Sequence, residues 1–427
     1  MLQRVISILK KKTLKDYLVV LFGTGFSRGI AFINSVIIAR LLGPEDFGRF
    51  SMFFVVMVLT WMFAQSFDSA FIRYAKTSRD NAEKTEFLKI SFLLKITYGI
   101  IITIFSYPMS YFMAHFVFKK PEVTSLIIFA LLSGIFQSFL MTIASIFQEK
   151  ENFTAFSFLY SFYTVSILLL LIVVKLSGFP FDLESVVFIH LFVSLAIGIA
   201  SIYLLFGRKI KRIFPLNRDY LRKSLVLGKW IFGINIMMFV FSRMDFLYLG
   251  RYLNFNSLGV YSVSQQIVMI ISVMVSSSSG IFLPKACSAL ESKIAFKRFC
   301  KEAVFIALII NIIIGALIIF VPILIKALYG TPYMGAVILT RILLIGWMAN
   351  VFYSPFSFLF YAADESALRF VLEAAKLIIA VLLLAWLVPY FKSIGAALAI
   401  TITFVVTSFI SLIILKYKID YRHNLSD

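Results

Sequence analysis

Seven charged residues interrupt stretches that are otherwise apolar: Arg28, Asp68, Lys95, Arg243, Asp245, Glu373 and Lys376. An ionisable side chain at the centre of a bilayer costs about 2.5–3.5 kcal/mol on insertion scales, so each position calls for a partner or a function. Arg28 and Arg243 carry planar guanidinium groups suited to the paired oxygens of a phosphate or diphosphate. With Lys95 they form the candidate substrate-binding set. Asp68 and Asp245 are carboxyls that can exchange a proton as local hydration changes. They can equally serve as counter-charges, Asp245 for Arg243 two residues away and Asp68 for Arg28 across the bundle, and both readings stand at this stage. Glu373 and Lys376 are three residues apart on one helical face and are expected to satisfy each other. Lys95 has Tyr98 as its nearest hydroxyl and is divided between a cavity role and snorkelling towards the inner surface. His190, towards the outer end of its segment, reads first as a hydrogen-bonded structural residue.

The elements that must position these groups are membrane spans. Apolar residues make up 61% of the chain and charged residues 15%, with a mean hydropathy of +0.96, far outside the range of soluble domains. A span needs about 20 mainly apolar residues. Twelve segments qualify, at 16–42, 47–73, 87–108, 122–147, 153–175, 183–206, 225–252, 257–283, 300–328, 334–361, 366–389 and 393–416. The fold class is therefore an all-α integral membrane protein. Arg28 lies about 20 Å from the outer end of its helix at about 1.5 Å per residue, too deep to reach the surface, and is expected to face water or a partner inside the bundle.

The 41 Lys and Arg residues outnumber the 21 Asp and Glu, for a formal charge of +20. In a soluble chain that excess would suggest nucleic acid; here the basic residues sit in short gaps, and nucleic acid is not expected as a partner. Only Arg40, Arg49, Lys119, Lys120, Lys175, Arg251, Lys326 and Lys392 fall on one side of the spans. Arg28, Lys95, Arg243, Arg341 and Lys376 fall inside them, and the rest cluster on the other side. By the positive-inside rule both termini are cytoplasmic, and the basic face is attracted to anionic membrane lipid. Cys287 and Cys300 fall in one cytoplasmic gap and are expected as free thiols. The basic N-terminus precedes a long apolar segment without a small-residue cleavage site, which reads as a first span and not as a cleaved signal.

The chain also repeats itself. Arg40, Leu42, Phe47, Gly48, Phe50 and Ser51 fall, at a constant offset of 211, on Arg251, Leu253, Leu258, Gly259, Tyr261 and Ser262. At an offset of 214, Pro108 falls on Pro322 and Glu151 on Glu365. Two copies of a six-helix unit follow: an N-lobe at 1–206 and a C-lobe at 225–427, joined by a basic cytoplasmic linker at 207–224. Parallel repeats of this kind place a substrate path between their halves, near the bilayer midplane. Arg28 and Arg243 on equivalent helices are expected to line it. Gly23, Gly25 and Gly29, with Gly228, Gly233 and Gly250, permit close packing or bending of those helices. So does the small, polar run Ser276 to Gly280.

The turn Ala39-Arg-Leu-Leu-Gly-Pro-Glu-Asp-Phe-Gly-Arg-Phe-Ser51, its partner Leu258-Gly-Val-Tyr-Ser262, the twelve spans and the short loops resemble the Wzx-type flippases. These form the polysaccharide-biosynthesis branch of the MOP exporter superfamily. The resemblance implies two pseudo-symmetric six-helix lobes of the MATE/MOP kind and alternating access. It implies movement of an undecaprenyl-diphosphate-linked oligosaccharide from the cytoplasmic to the outer face of a bacterial inner membrane, for O-antigen, capsule or exopolysaccharide synthesis. Helices 1, 2, 7 and 8 of such proteins border the cavity, where Arg28, Asp68, Arg243 and Asp245 fall. No cofactor is implied beyond a proton or sodium gradient or the membrane potential. A polysaccharide polymerase and a chain-length regulator are the implied protein partners of a monomeric transporter. The lipid II flippases have fourteen spans, and the shorter chain fits the oligosaccharide branch.

Walker A, GxSxG and HExxH patterns and cysteine–histidine clusters are absent from the sequence, so neither nucleotide nor metal hydrolysis is supported. No large outer loop could hold acidic catalytic residues, which counts against a membrane-embedded glycosyltransferase or ligase. A cation-coupled multidrug antiporter on the same fold is the second transporter reading, disfavoured by a cationic cavity.

Overall fold

The computed structural model describes residues 2–78, 80–208, 217–290, 292–363 and 365–425. Linker positions 209–216 lie outside them, as do the side chains of residues 1–18, of the Ser276 to Gly280 run, of Gly228 and of Cys287. Every element among the described residues is helical. In chain order they are α1 (2–42), α2 (44–77), α3 (Asn81–Ile104), α4 (Thr124–Glu149), α5 (Phe153–Leu176) and α6 (Leu183–Arg208). There follow α7 (Arg218–Tyr252), α8 (Phe255–Ala289), α9 (Lys293–Leu328), α10 (Ala336–Phe356), α11 (366–391) and α12 (393–425).

Nine helical stretches among the described residues are long and apolar enough to cross a membrane. Two of them each contain a pair of helices, folded at Gly43 and at Lys392; with α7 this makes twelve crossings of a multi-pass membrane protein. Large apolar side chains such as Ile312, Phe320 and Ile323 on α9 and Trp386 on α11 are exposed, which only a hydrocarbon surround makes favourable.

The repeated turn is where sequence dictates shape most directly. Gly43 adopts φ 75° and ψ 173°, a conformation essentially confined to glycine. Pro44 then occupies the first position of α2, where its missing N–H costs nothing and its fixed φ starts the next helix. Arg49 reaches back to Glu45 at 2.6 Å and Asp46 at 2.5 Å, tying the first turn of α2. Thr24 and Arg28 before the turn line the same cavity as Gln65 and Asp68 after it. As one straight helix, Arg28 and Asp68 would lie about 60 Å apart at about 1.5 Å per residue, so the chain doubles back. The same logic holds for the second pair: Lys376 Nζ sits 4.8 Å over the Phe404 ring, and Lys392 between them has φ 52°.

Proline and capping explain other breaks. Pro108 cannot donate to the helix, and α3 is interrupted at Phe105 before it resumes as Ser106–Phe112 and loosens into a π turn over Met113–Val117. Asn152 and Ser292 cap α5 and α9 through the amides of Ala155 and Ala295. At the exposed start of α6, the Ser185 backbone amide donates to Asp182 at 2.9 Å. That bond holds the Asp182 carboxyl below the ordinary range.

Packing divides the chain within α7, into Met1–Arg243 and Met244–Asp427, later than the basic linker at which the sequence pattern divides it. In the first unit α4 is central, packed against the α1–α2 pair, α5 and α6. In the second, α10 takes the corresponding place against α8, α9 and the α11–α12 pair. Equivalent positions in the two turns also behave alike. Phe47 and Leu258 are both fully buried, and Ser51 and Ser262 each donate to the carbonyl four residues back, at Phe47 and Leu258, both at 2.8 Å.

Candidate functional site

The first unit holds a cavity of about 420 Å³ walled by α1, α2, α4 and α5. Its polar lining includes Arg28 from α1, Gln65 and Asp68 from α2, Ser145 and Gln148 from α4, and Tyr160 from α5. Small polar residues place α1 against α5 and so aim Arg28. Ser27 donates to the Tyr160 carbonyl at 3.1 Å, Asn34 to that of Thr164 at 2.9 Å and Ser161 to that of Gly23 at 3.3 Å. A Cβ on Gly23 would lie 2.2 Å from that of Ser157, so the absence of a side chain there lets the helices close, whereas Gly25 and Gly29 face open space. With Ser27 buried against α5, the next residue, Arg28, points off that contact and is exposed. No carboxylate pairs with it among the described residues.

Asp68 is engaged elsewhere. Its Oδ2 takes a hydrogen bond from Lys95 Nζ at 2.6 Å, and its Oδ1 accepts from Thr142 at 3.0 Å and Ser91 at 3.3 Å. Lys95 also donates to the Ser138 carbonyl at 2.8 Å and to Thr142 Oγ1 at 2.6 Å. The network closes on itself: an ammonium has three donors and all are used, while the single hydroxyl proton of Thr142 goes to Asp68 and its lone pair receives Lys95. The Lys95 side chain is 0% exposed and that of Asp68 3%. The sequence left Lys95 between a cavity role and snorkelling, and Asp68 between proton exchange and pairing with Arg28. The structure instead sets Lys95 behind the cavity wall, on Asp68, across α2, α3 and α4. Tyr98, its sequence neighbour, donates to the Thr60 carbonyl at 3.2 Å.

The other candidates are not among the residues lining this cavity. Arg243 is half-buried on α7 and is not among the residues lining it. Asp245 is buried and accepts from Tyr261 Oη at 2.6 Å, from Gln265 Nε2 and from the amide of Phe246 at 2.7 Å. The period-four spacing of Tyr261 and Gln265 on α8 was a usable sequence signal for this cluster. Lys376 and Glu373 on α11 are 3.6 Å apart. His190 is buried, shares a hydrogen bond with Tyr163 at 3.3 Å and packs on Phe50 and Phe53, and its Nε2 has no partner among the described residues. Arg341 donates to the Ile318 carbonyl at 3.2 Å, and Cys300 is a free thiol.

Ion pairs with no intramembrane role gather at the segment ends. Lys76–Glu151 at 2.6 Å and Lys84–Glu149 at 2.9 Å join α2 and α3 to the α4–α5 turn, and Lys418–Glu365 at 2.7 Å joins α12 to the turn before α11. Glu151 and Glu365 are the residues that the internal repeat superposes.

Residues 13–284 match the family described as polysaccharide biosynthesis protein. The chain belongs to that family. It is 24% identical over 382 residues to the capsular polysaccharide biosynthesis protein CapF of Staphylococcus aureus, covering 87% of this chain and 91% of that protein. Among solved structures it superposes on an inward-facing multidrug resistance MATE transporter of the MOP superfamily with a TM-score of 0.74, at 17% identity and 93% and 96% coverage. It superposes equally on the inward closed lipid II flippase MurJ, with a TM-score of 0.74 at 18% identity, over 93% of this chain and 87% of that one. The fold of this family member is therefore the one that these two transporters share.

Proposed function

We propose that the protein flips an undecaprenyl-diphosphate-linked oligosaccharide across the bacterial inner membrane, from the cytoplasmic to the outer face, for surface polysaccharide synthesis. The observation that carries this reading is the Arg28 guanidinium, exposed in a polar cavity at membrane depth with no carboxylate paired to it among the described residues. A guanidinium left unneutralised in such a place is suited to an anionic group, and its fork geometry to a phosphate. Membership of a polysaccharide-biosynthesis family supplies the substrate class. In this reading Arg28, with Arg243 as a second contact, takes the diphosphate. The glycan stays in water and the polyprenyl tail in lipid. Six-helix lobes at 1–206 and 225–427, joined by the 207–224 linker and with both termini cytoplasmic, alternate access to the two faces. A proton, sodium ion or the membrane potential resets the cycle. The protein is a transporter and not an enzyme, and a polymerase consumes what it delivers.

The test uses a strain lacking its own flippase. Arg28→Ala and Arg243→Ala are expected to lose surface glycan at unchanged protein level, with lipid-linked repeat units accumulating on the inner leaflet. Normal glycan from both variants overturns the assignment; rescue by Lys at either position shows that charge matters more than the fork. The MATE-like fold favours drug export as a second reading. Export of a cationic dye with an intact glycan phenotype would establish it.

A further inference from the structure

Two charged residues line the cavity, Arg28 and Asp68, and every other lining residue is neutral. Left to themselves, a cation and an anion on one cavity would neutralise each other and leave a lining with no preference for either sign. The structure separates them by giving Asp68 a different cation. Lys95 is fully buried, touches the carboxylate at 2.6 Å, and spends its two remaining donors on Ser138 and Thr142. Thr142 and Ser91 take up the other carboxylate oxygen. Both carboxylate oxygens of Asp68 are thus engaged from α3 and α4, Oδ2 by the Lys95 ammonium and Oδ1 by Thr142 and Ser91.

We propose that Lys95 makes this cavity an anion site: by neutralising Asp68 from behind, it leaves the charge of Arg28 uncompensated for a phosphate-type oxyanion. Lys95 is a positioning residue, since it never reaches the cavity itself. The flippase reading enters only in naming that oxyanion as the lipid diphosphate; the sign of the cavity does not depend on it.

The charge arithmetic is testable without any substrate. In a chain with Cys287 and Cys300 replaced by Ser, Ser145→Cys puts a thiol on the cavity wall. Its rates are read with an anionic (sulfonatoethyl) and a cationic (trimethylammonioethyl) methanethiosulfonate, each relative to a free thiol. The background is expected to favour the anionic reagent. Arg28→Gln and Lys95→Met each remove one positive charge and should each lower the anion-to-cation ratio by on the order of tenfold. Combined, they leave Asp68 alone and should invert the preference. Asp68→Asn with Lys95→Met should restore the background ratio. A merely structural Lys95 would lower thermal stability and slow or speed both reagents together, without moving their ratio. If Lys95→Met does not fold, Lys95→Gln keeps hydrogen-bonding capacity towards Ser138 and Thr142 without the charge, and carries the same expectation. A folded Lys95 variant with an unchanged ratio overturns the proposal, as does a thiol at 145 that reacts with neither reagent. A normal glycan phenotype in both Arg28→Ala and Arg243→Ala would overturn the flippase reading instead, leaving this ratio to decide the cavity's sign.

Discussion

Each unit buries a carboxylate, and the hydrogen-bond partners described for the two differ. In the first, Asp68 is met by a full cation from the next helix, and Ser91 and Thr142 complete the shell. In the second, the partners of Asp245 include a phenol and a carboxamide one helical turn apart on α8, Tyr261 and Gln265. The ion pair joins α2 to α3, and its hydrogen bonds to Ser138 and Thr142 add α4. The Asp245 cluster joins α7 to α8 and retains an anion without a lysine among those partners. Yet the scaffolds around them repeat, down to the serine hydroxyls of the two turns. Packing residues therefore follow the internal repeat, while the polar residues have diverged between the copies: Asp245 falls on Asn34 and Asp68 on Ser279 at the same offset.

Six substitutions press on that comparison. Lys95→Met should be the most damaging, because it strands a buried carboxylate: about 3–5 kcal/mol of stability is expected to go, read as a lowered unfolding transition in detergent. Most of it should return in the Asp68→Asn, Lys95→Met double variant. If the single variant is as stable as the parent, the ion pair is not what joins α2 to α3 and α4.

Gly134→Ala and Gly346→Ala compare the central helices. A methyl on Gly134 would sit 2.6 Å from the Met57 carbonyl oxygen, and one on Gly346 2.8 Å from the Thr401 Cα. Both neighbours are backbone, so each change should cost about 1–3 kcal/mol through overpacking. A large asymmetry in thermal stability between these variants would show that α4 and α10 are not equivalent in their units.

Tyr261→Phe removes one neutral donor from Asp245 and should cost about 1–2 kcal/mol, clearly less than the loss of Lys95. An equal or larger cost would mean that the Tyr261 hydroxyl holds its carboxylate as strongly as Lys95 holds Asp68. The smallest effect belongs to Ser51→Ala and Ser262→Ala. Each removes only a hydroxyl bonded to the carbonyl four residues back, a bond that stabilises little, and each should lower stability by under about 1 kcal/mol, to the same extent. Unequal effects would break the correspondence of the two turns.

The twelve crossings, the turn at Gly43-Pro44 and the repeat were legible because they rest on local chemistry. Apolar length, a glycine that alone tolerates its backbone angles and a proline at a helix start do not depend on what packs alongside. That the intramembrane charges would need partners was legible for the same reason, since desolvation is costly whatever the neighbours. The partners themselves were not. Asp68, Lys95, Ser138 and Thr142 come from three helices, and their meeting depends on how α2, α3 and α4 are rotated about their axes, a choice settled by side-chain packing between helices. Arg28 illustrates both halves. Its depth in the membrane follows from counting residues to the turn. That it faces a cavity with its obvious counter-ion taken by Lys95 was decided only when Ser27 and Ser161 locked α1 onto α5, and Thr142 brought α4 up to Asp68.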